Sequence, residues 1–273
     1  MGGIKTMHNE TAQNKPTAFE QFDALAAGQI HYVLCDIDDT ITTDGKLTAE
    51  AYAALWKLHD AQIHVIPVTG RSAGWCDMII RQWPVKAVIG ENGAFAFYWE
   101  QNKICTLIHP QADNTANYLQ ELERIILKQV PGCRVAHDQF SRRYDLAIDY
   151  CEDEPRLDLE AAKKILALCH ASGAEARISS IHVNAWFGKY NKLEMTRLFF
   201  SQALNIPDAR GFVLYFGDSP NDEPMFEYFP LSCAVENIKP FLDELKALPA
   251  YVTKGKGGEG FSMAINRLME LRT

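Results

Sequence analysis

Three apolar, partly β-branched runs each end on a polar residue at the point where a helix follows. Residues 30–36, IHYVLCD, end on Asp36; residues 63–69, IHVIPVT, end on Thr69; and the run at 212–217 leads into Asp218. Between the first two lies a helical stretch, Thr48 to Ala61, with Ala51, Leu55 and Leu58 on one face. A helix from Ala73 to Gln82, stopped before Pro84, separates the second run from a further strand at 85–89. Strands that alternate with helices fold as a parallel sheet covered on both faces. The chain is therefore predicted to be α/β with a Rossmann-like core, in which a ligand sits beyond the carboxyl ends of the strands.

The middle of the chain breaks this rhythm. A hairpin over 93–108 is followed by a helix at 118–128, an alternating strand at 143–150, a helix at 157–172 and short strands at 175–179 and 181–187. The parallel pattern then resumes with a helix at 192–203, the strand at 212–217, a helix at 221–228, a strand near 231–235, a helix at 238–247, a strand at 250–253 and a helix at 260–271. The expected organisation is a polar leader over 1–27, a core built from 28–107 and 187–273, and an inserted α/β cap over 108–186.

Composition narrows the function. A formal net charge of −8 argues against nucleic acid, whose backbone is bound by clustered Lys and Arg; a local phosphate site remains open. The seven cysteines are scattered without a CxxC pair, which fits reduced thiols in a cytoplasmic protein. The first residues lack the apolar segment of a signal peptide, and no run approaches the roughly 18 apolar residues of a membrane span. Oligomeric state is not legible.

The chemistry concentrates at the strand ends. In Cys35–Asp44, CDIDDTITTD, the period of two places Asp36 and Asp38 on one side. Carboxylates that close need a cation or a shared proton. Mg²⁺ prefers one or two carboxylates with substrate phosphate and water, and a carboxylate is itself a nucleophile toward phosphoryl groups. Asp36 is thus a candidate nucleophile and Asp38 a candidate acid–base, the alternative being a solvated acidic turn. At Val68-Thr69-Gly70-Arg71-Ser72, a hydroxyl, the Gly70 N–H and a helix start make an anion site; Thr69 or Ser72 could instead merely cap the helix. In Gly217-Asp218-Ser219-Pro220-Asn221-Asp222, Asp218 supplies a third carboxylate, Asp222 an outer contact and Asn221 a phosphoryl donor; Asn221 and Asp222 are also ordinary turn residues. Phosphoryl transfer requires a cation near the equatorial oxygens. Lys189 and Lys192 are the candidates, and Lys192 is preferred because Met195, Leu198 and Phe199 then fall on the packing face of its helix.

Together these residues resemble the haloacid dehalogenase-like phosphatases, whose DxDxT, strand-end Thr or Ser, Lys and GDxxND motifs match Asp36/Asp38/Thr40, Thr69, Lys192 and Asp218/Asn221/Asp222. The resemblance runs from about Ile30 to Leu271. The position of the cap, between the Thr and Lys motifs, and the turn Gly90-Glu91-Asn92-Gly93-Ala94 are similar to the branch with Cof-type, sucrose-phosphate and mannosyl-3-phosphoglycerate phosphatases and phosphomannomutase. It implies Mg²⁺ held by Asp36, the Asp38 carbonyl and Asp218, and an aspartyl-phosphate formed on Asp36. It also implies a small phosphorylated substrate, such as a sugar phosphate. Leu193 departs from the Gly that usually follows the motif lysine. A phosphosugar mutase and a non-enzymatic Mg²⁺-binding phosphoacceptor are the competing readings.

Other features are assigned lesser roles. Lys254–Gly260, KGKGGEG, lacks Walker spacing and is expected to be a mobile connection. Arg142 and Arg143 open a cap strand, either as a solvated strand end or as a grip on a second substrate group. His182 and Asn184 share a strand face and could meet a sugar hydroxyl; a structural role is the alternative. Trp56, Trp75, Trp83, Trp99 and Trp186 are expected in the core or at a domain contact.

Overall fold

A computed structural model describes residues 15–112, 116–179 and 181–272. Its elements follow in chain order: β1 (Thr17–Ala18), α1 (Ala24–Gln29), β2 (Tyr32–Cys35), β3 (Thr42–Thr43), β4 (Lys46–Leu47), α2 (Ala49–Asp60), β5 (His64–Pro67) and α3 (Ala73–Gln82). Then come β6 (Ala87–Gly90), β7 (Phe95–Glu100), β8 (Lys103–Ile108), α4 (Ala116–Gln129), β9 (Arg134–Val135), β10 (Asp145–Asp149), α5 (Leu159–Ala171), β11 (Glu175–Ile178) and β12 (His182–Trp186). The chain ends with α6 (Lys192–Gln202), β13 (Val213–Gly217), α7 (Glu223–Tyr228), β14 (Ser232–Ala234), β15 (Tyr251–Val252) and α8 (Gly257–Arg272).

The main sheet runs β1-β15-β14-β13-β2-β5, and all its pairings are parallel. A bridge from Val68 to Ile89 extends it to β6 of the β6-β7-β8 antiparallel sheet. Alternation along the central strands sorts side chains to two faces. Val33, Cys35, Leu214 and Phe216 join the core beneath α2, α3 and α8, while Leu34, Val213 and Tyr215 join the core beneath α6 and α7. With both faces covered, such strands read as unbroken apolar runs.

Helix starts are locally encoded. Thr48 accepts the Ala51 N–H, Asp158 that of Ala161 and Asn191 that of Glu194, each satisfying a donor the first turn leaves unpaired. The cap sheet, β11-β12-β10-β9, is antiparallel and closes its own core with α4 and α5 through Ile126, Ile148, Ile165 and Val183.

Three expectations are corrected. The stretch up to residue 27 is not a leader throughout its described part: Thr17 and Ala18 pair with Tyr251 and Val252, and Phe19 and Phe22 stack at 4.8 Å inside the core. Residues 1–14 of that stretch lie outside the described residues. The helix expected at 238–247 is instead a 3-10 turn, Glu236–Phe241, with Pro240 inside it. The glycine-rich connection starts α8 and is packed: Gly257 has φ +48°, and its N–H donates to Asn237, while the Gly258 N–H donates to Thr43. A Cβ at Gly258 would approach the Ile41 carbonyl to 2.8 Å, so the glycines serve close backbone contact with the loop after β2. Among the described residues no helix is long and apolar enough to cross a membrane.

Candidate active site

The carboxyl ends of the neighbouring strands β2 and β13 converge on one buried cluster. Asp36 follows β2, and its N–H is fixed by the Phe216 carbonyl of β13. Beyond it the chain winds around the Ile37 carbonyl, which accepts from the N–H groups of Ile41 and Thr42 and from the Thr42 hydroxyl. That turn brings Thr40 back across the strand ends, where its hydroxyl donates to Asp218 at 2.9 Å.

Asp36, Asp218 and Asp222 are all buried, and a carboxylate oxygen from each lies within 4.8 Å of the others. Lys192, the first residue of α6, crosses to this cluster. Its ammonium donates to Asp36 at 2.5 Å and to Asp222 at 3.0 Å, and reaches the Asn221 side chain at 3.4 Å. Burial is the largest influence on Asp36 and raises its carboxyl to about 7, against the pull of Lys192. Burial also disfavours the Lys192 ammonium, but Asp222 and Asp36 more than offset it, so its pKa lies above the usual lysine value. Burial and then the charges of Asp222 and Asp36 push Asp218 well above the carboxylate range. A site that so disfavours stacked negative charge suits a hard divalent cation with oxygen ligands.

Within this cluster Asp222 has a separate task. One oxygen accepts from Tyr215 (2.6 Å) and Lys192, and the other accepts from the Asp218 N–H (3.0 Å). Both oxygens are occupied by groups that orient Asp218 and Lys192. Tyr215 was not identified in the sequence; its place on β13, three residues before Asp218, is the signal that could have found it.

Asp38 sits to the side of the cluster, in a fork from Arg71 with contacts of 2.5, 2.9 and 3.1 Å. The guanidinium stacks 4.8 Å from the centre of the Trp75 ring. Thr69 is fully buried, and its hydroxyl accepts from the Arg71 N–H at 3.1 Å, closing the turn that presents Gly70. Lys189 is exposed, so Lys192 is the lysine that enters the cluster.

A cavity of about 1150 Å³ opens over these residues, bounded by Asp36, Asp38, Gly70, Asn221 and Asp218 on the core side and by His182 and Asn184 on the cap side. Trp75 and Phe140, both with exposed rings, stand along it. His182 contacts Glu152 at 2.8 Å, and Asn184 donates to Asp145 at 3.1 Å. Arg142 is not the solvated strand end expected of it, although it lines the cavity. Its side chain is 2% exposed, and it donates to Asp138, Asp145 and the Gly70 carbonyl. A buried guanidinium demands such partners. Arg143 lies over the Phe97 ring at 5.6 Å. Trp56, also half exposed, is not a core residue.

Cap and core meet through Glu91, which the sequence reading left without a role. This buried carboxylate accepts from the N–H groups of Ala73 on α3 (2.9 Å) and of Arg143 (3.0 Å) and Tyr144 (2.6 Å) on the cap. Burial, then the charge of Asp145, pushes it up to about 7 against those three donors.

The family model described as haloacid dehalogenase-like hydrolase matches residues 33–129 and 189–265, more than half of the chain. A phosphoglycolate phosphatase of Methanothermobacter thermautotrophicus is 27% identical over 242 residues, covering 87% of this chain and 98% of the relative. The C-terminal domain of C. albicans trehalose-6-phosphate phosphatase superposes with a TM-score of 0.69 at 15% identity, covering 94% of this chain and 97% of that one. The sucrose-phosphatase of Synechocystis sp. PCC6803, in complex with sucrose and phosphate, does so with a TM-score of 0.61 at 17% identity, covering 88% and 98%. At these identities the two structures establish a shared fold.

Proposed function

The chain belongs to the haloacid dehalogenase-like hydrolases, and from that premise we propose that it is a Mg²⁺-dependent phosphatase acting on a sugar phosphate or similar small phosphate ester. The observation that carries this reading is the Lys192 ammonium bonded to both Asp36 and Asp222, with Asp218 in the same cluster. It supplies a buried nucleophile, a cation and an oxygen-donor set at the end of adjacent strands.

Asp36, Asp218 and the Asp38 carbonyl would hold the metal, with Asp222 orienting from behind. When bound, Mg²⁺ offsets charge on the phosphoryl oxygens. Asp36 attacks phosphorus and displaces the alcohol, forming an acyl-phosphate bond. Asp38 gives its proton to the departing oxygen, which requires one of its own oxygens to leave the Arg71 fork. In the second half Asp38 takes a proton from water, which releases phosphate and restores Asp36. Lys192, Asn221 and the Gly70 N–H donate to the equatorial oxygens in both halves.

The size of the substrate is read from the cavity. Ligand pockets span roughly 300–1,000 Å³, and 1150 Å³ leaves ample room for a sugar beside the phosphoryl group. The named activities of the similar proteins, on phosphoglycolate, trehalose 6-phosphate and sucrose phosphate, span that range of leaving groups. The test is phosphate release from a panel of phosphorylated sugars, acids and nucleotides, with Mg²⁺ and with EDTA. Release from sugar phosphates that EDTA abolishes supports the reading; EDTA-insensitive release, or none from any ester, refutes it.

A further inference from the structure

We propose that Asn92 is a substrate-binding residue, its side-chain amide donating an N–H to a phosphoryl oxygen of the bound ester; this rests on the phosphatase reading.

Asn92 is the middle residue of the 3-10 turn Glu91–Gly93, with φ 57° and ψ 22°. Asparagine tolerates this left-handed conformation better than most residues. Its N–H donates to the Thr69 carbonyl at 3.1 Å, which ties the turn to the strand end that presents Gly70. On the other side, a Cβ at Gly93 would lie 2.2 Å from the Asn191 carbonyl and 3.0 Å from the Lys192 backbone nitrogen, so the turn is wedged against the start of α6. Asn92 is thereby set between the two elements that carry Gly70 and Lys192.

The side chain follows that placement. A Cβ at Gly70 would come to 3.1 Å from Asn92 Oδ1 and 3.3 Å from Nδ2, so the glycine leaves the space that the amide fills. Asn92 lines the same cavity as Asp36, Asp38 and Asn221, is 8% exposed, and its Nδ2 has no hydrogen-bond partner. Burying an unsatisfied donor costs free energy unless a ligand completes it. Oδ1 and Nδ2 both lie against Gly70, and because the two ends of an amide are nearly isosteric, a half-turn about Cβ–Cγ exchanges donor and acceptor in place.

The chemistry fits an anion. A neutral amide neither attacks nor carries a proton here; it offers an N–H dipole to a P–O⁻ group, beside Lys192 and Asn221. The adjacent Glu91 does not oppose that anion, because its carboxylate is turned to the Ala73, Arg143 and Tyr144 N–H groups.

Two variants of the full chain test this. Asn92→Gly keeps the positive φ and removes the amide; Asn92→Asp keeps the shape and adds a negative charge. With p-nitrophenyl phosphate and Mg²⁺ at neutral pH, Asn92→Gly is expected to lower kcat/KM by about 10²-fold, the scale of a lost oxyanion donor. Asn92→Asp is expected to lower it further, and inhibition by inorganic phosphate is expected to weaken in the same order. Unfolding midpoints are expected to stay near that of the parent. If both variants keep kcat/KM and phosphate inhibition within about twofold of the parent while Asp36→Asn is inactive, the Asn92 assignment is overturned and the phosphatase reading stands. A fall in activity matched by a fall in midpoint, with phosphate inhibition unchanged, also overturns it in favour of a purely structural turn. If the parent chain releases phosphate from no ester, both readings fall together.

Discussion

The Lys192 ammonium lies 2.5 Å from an Asp36 oxygen, and each side chain is only 7% exposed. The pair joins residues 156 positions apart and fixes the proposed nucleophile against a cation that also grips Asp222. Removing one member of such a pair leaves uncompensated buried charge, which costs about 3–5 kcal/mol. Lys192→Met is therefore expected to lower the unfolding midpoint and to reduce kcat by about 10³-fold. Lys192→Arg is not expected to rescue it, since a planar guanidinium does not fit the ammonium's place. Steady-state kinetics with thermal unfolding decide this; near-parent activity in Lys192→Met would contradict the assignment.

In the proposed mechanism Asp222 orients the metal ligands from behind. In Asp222→Asn, one of the two oxygens that serve Tyr215, Lys192 and the Asp218 N–H becomes an NH₂ group. Loss of an orienting partner typically costs about 10–100-fold in metal affinity. The Mg²⁺ concentration for half-maximal activity is expected to rise by that factor, with much of kcat recovered at saturating metal. An unchanged Mg²⁺ requirement counts against this role.

Arg71 positions Asp38 through its forked contact. Arg71→Ala releases the proposed acid–base to other rotamers, and misplacement of about 1 Å costs about 10²-fold in rate. The expected result is a fall of about that size in kcat with KM changed by less than about threefold. A rise in KM with kcat unchanged would instead make Arg71 a substrate-binding group.

Glu91 holds the cap segment at residues 143–144 to the start of α3, accepting three backbone N–H groups. Glu91→Gln turns one acceptor into a donor facing those N–H groups. Leaving a buried donor unsatisfied costs about 1–3 kcal/mol, which lowers the unfolding midpoint of a chain this size by roughly 2–10 °C. Calorimetry is the check; an unchanged midpoint contradicts the clasp.

What the sequence disclosed, and what it hid, follows from the range of the interactions. Asp36, Thr69 and Asp218 were legible because each ends an apolar run, and alternating helices place such ends on one rim of the sheet. Lys192 was legible from the period of the helix it begins. Glu91 and Asn92 were not, because their partners lie across the chain: Glu91 meets the cap 52 positions on, and Asn92 abuts Gly70. The burial of Arg142 was not read, although Asp138 and Asp145 stand four residues before and three after it, a spacing that could have marked a local cage. Phe19 and Phe22, three residues apart in a polar stretch, were a similar local sign of packing that the polar composition masked.

The central claim is that Asp36 accepts the phosphoryl group. Its most direct measurement is acid quenching of the Asp38→Asn variant during turnover of p-nitrophenyl phosphate, followed by mass spectrometry of the peptide containing residues 35–44. That peptide is expected to gain one phosphoryl unit on Asp36, stalled because the acid–base is missing, whereas Asp36→Asn is expected to be inactive and to gain none. Unmodified peptide under conditions of phosphate release, or an active Asp36→Asn variant, would contradict it.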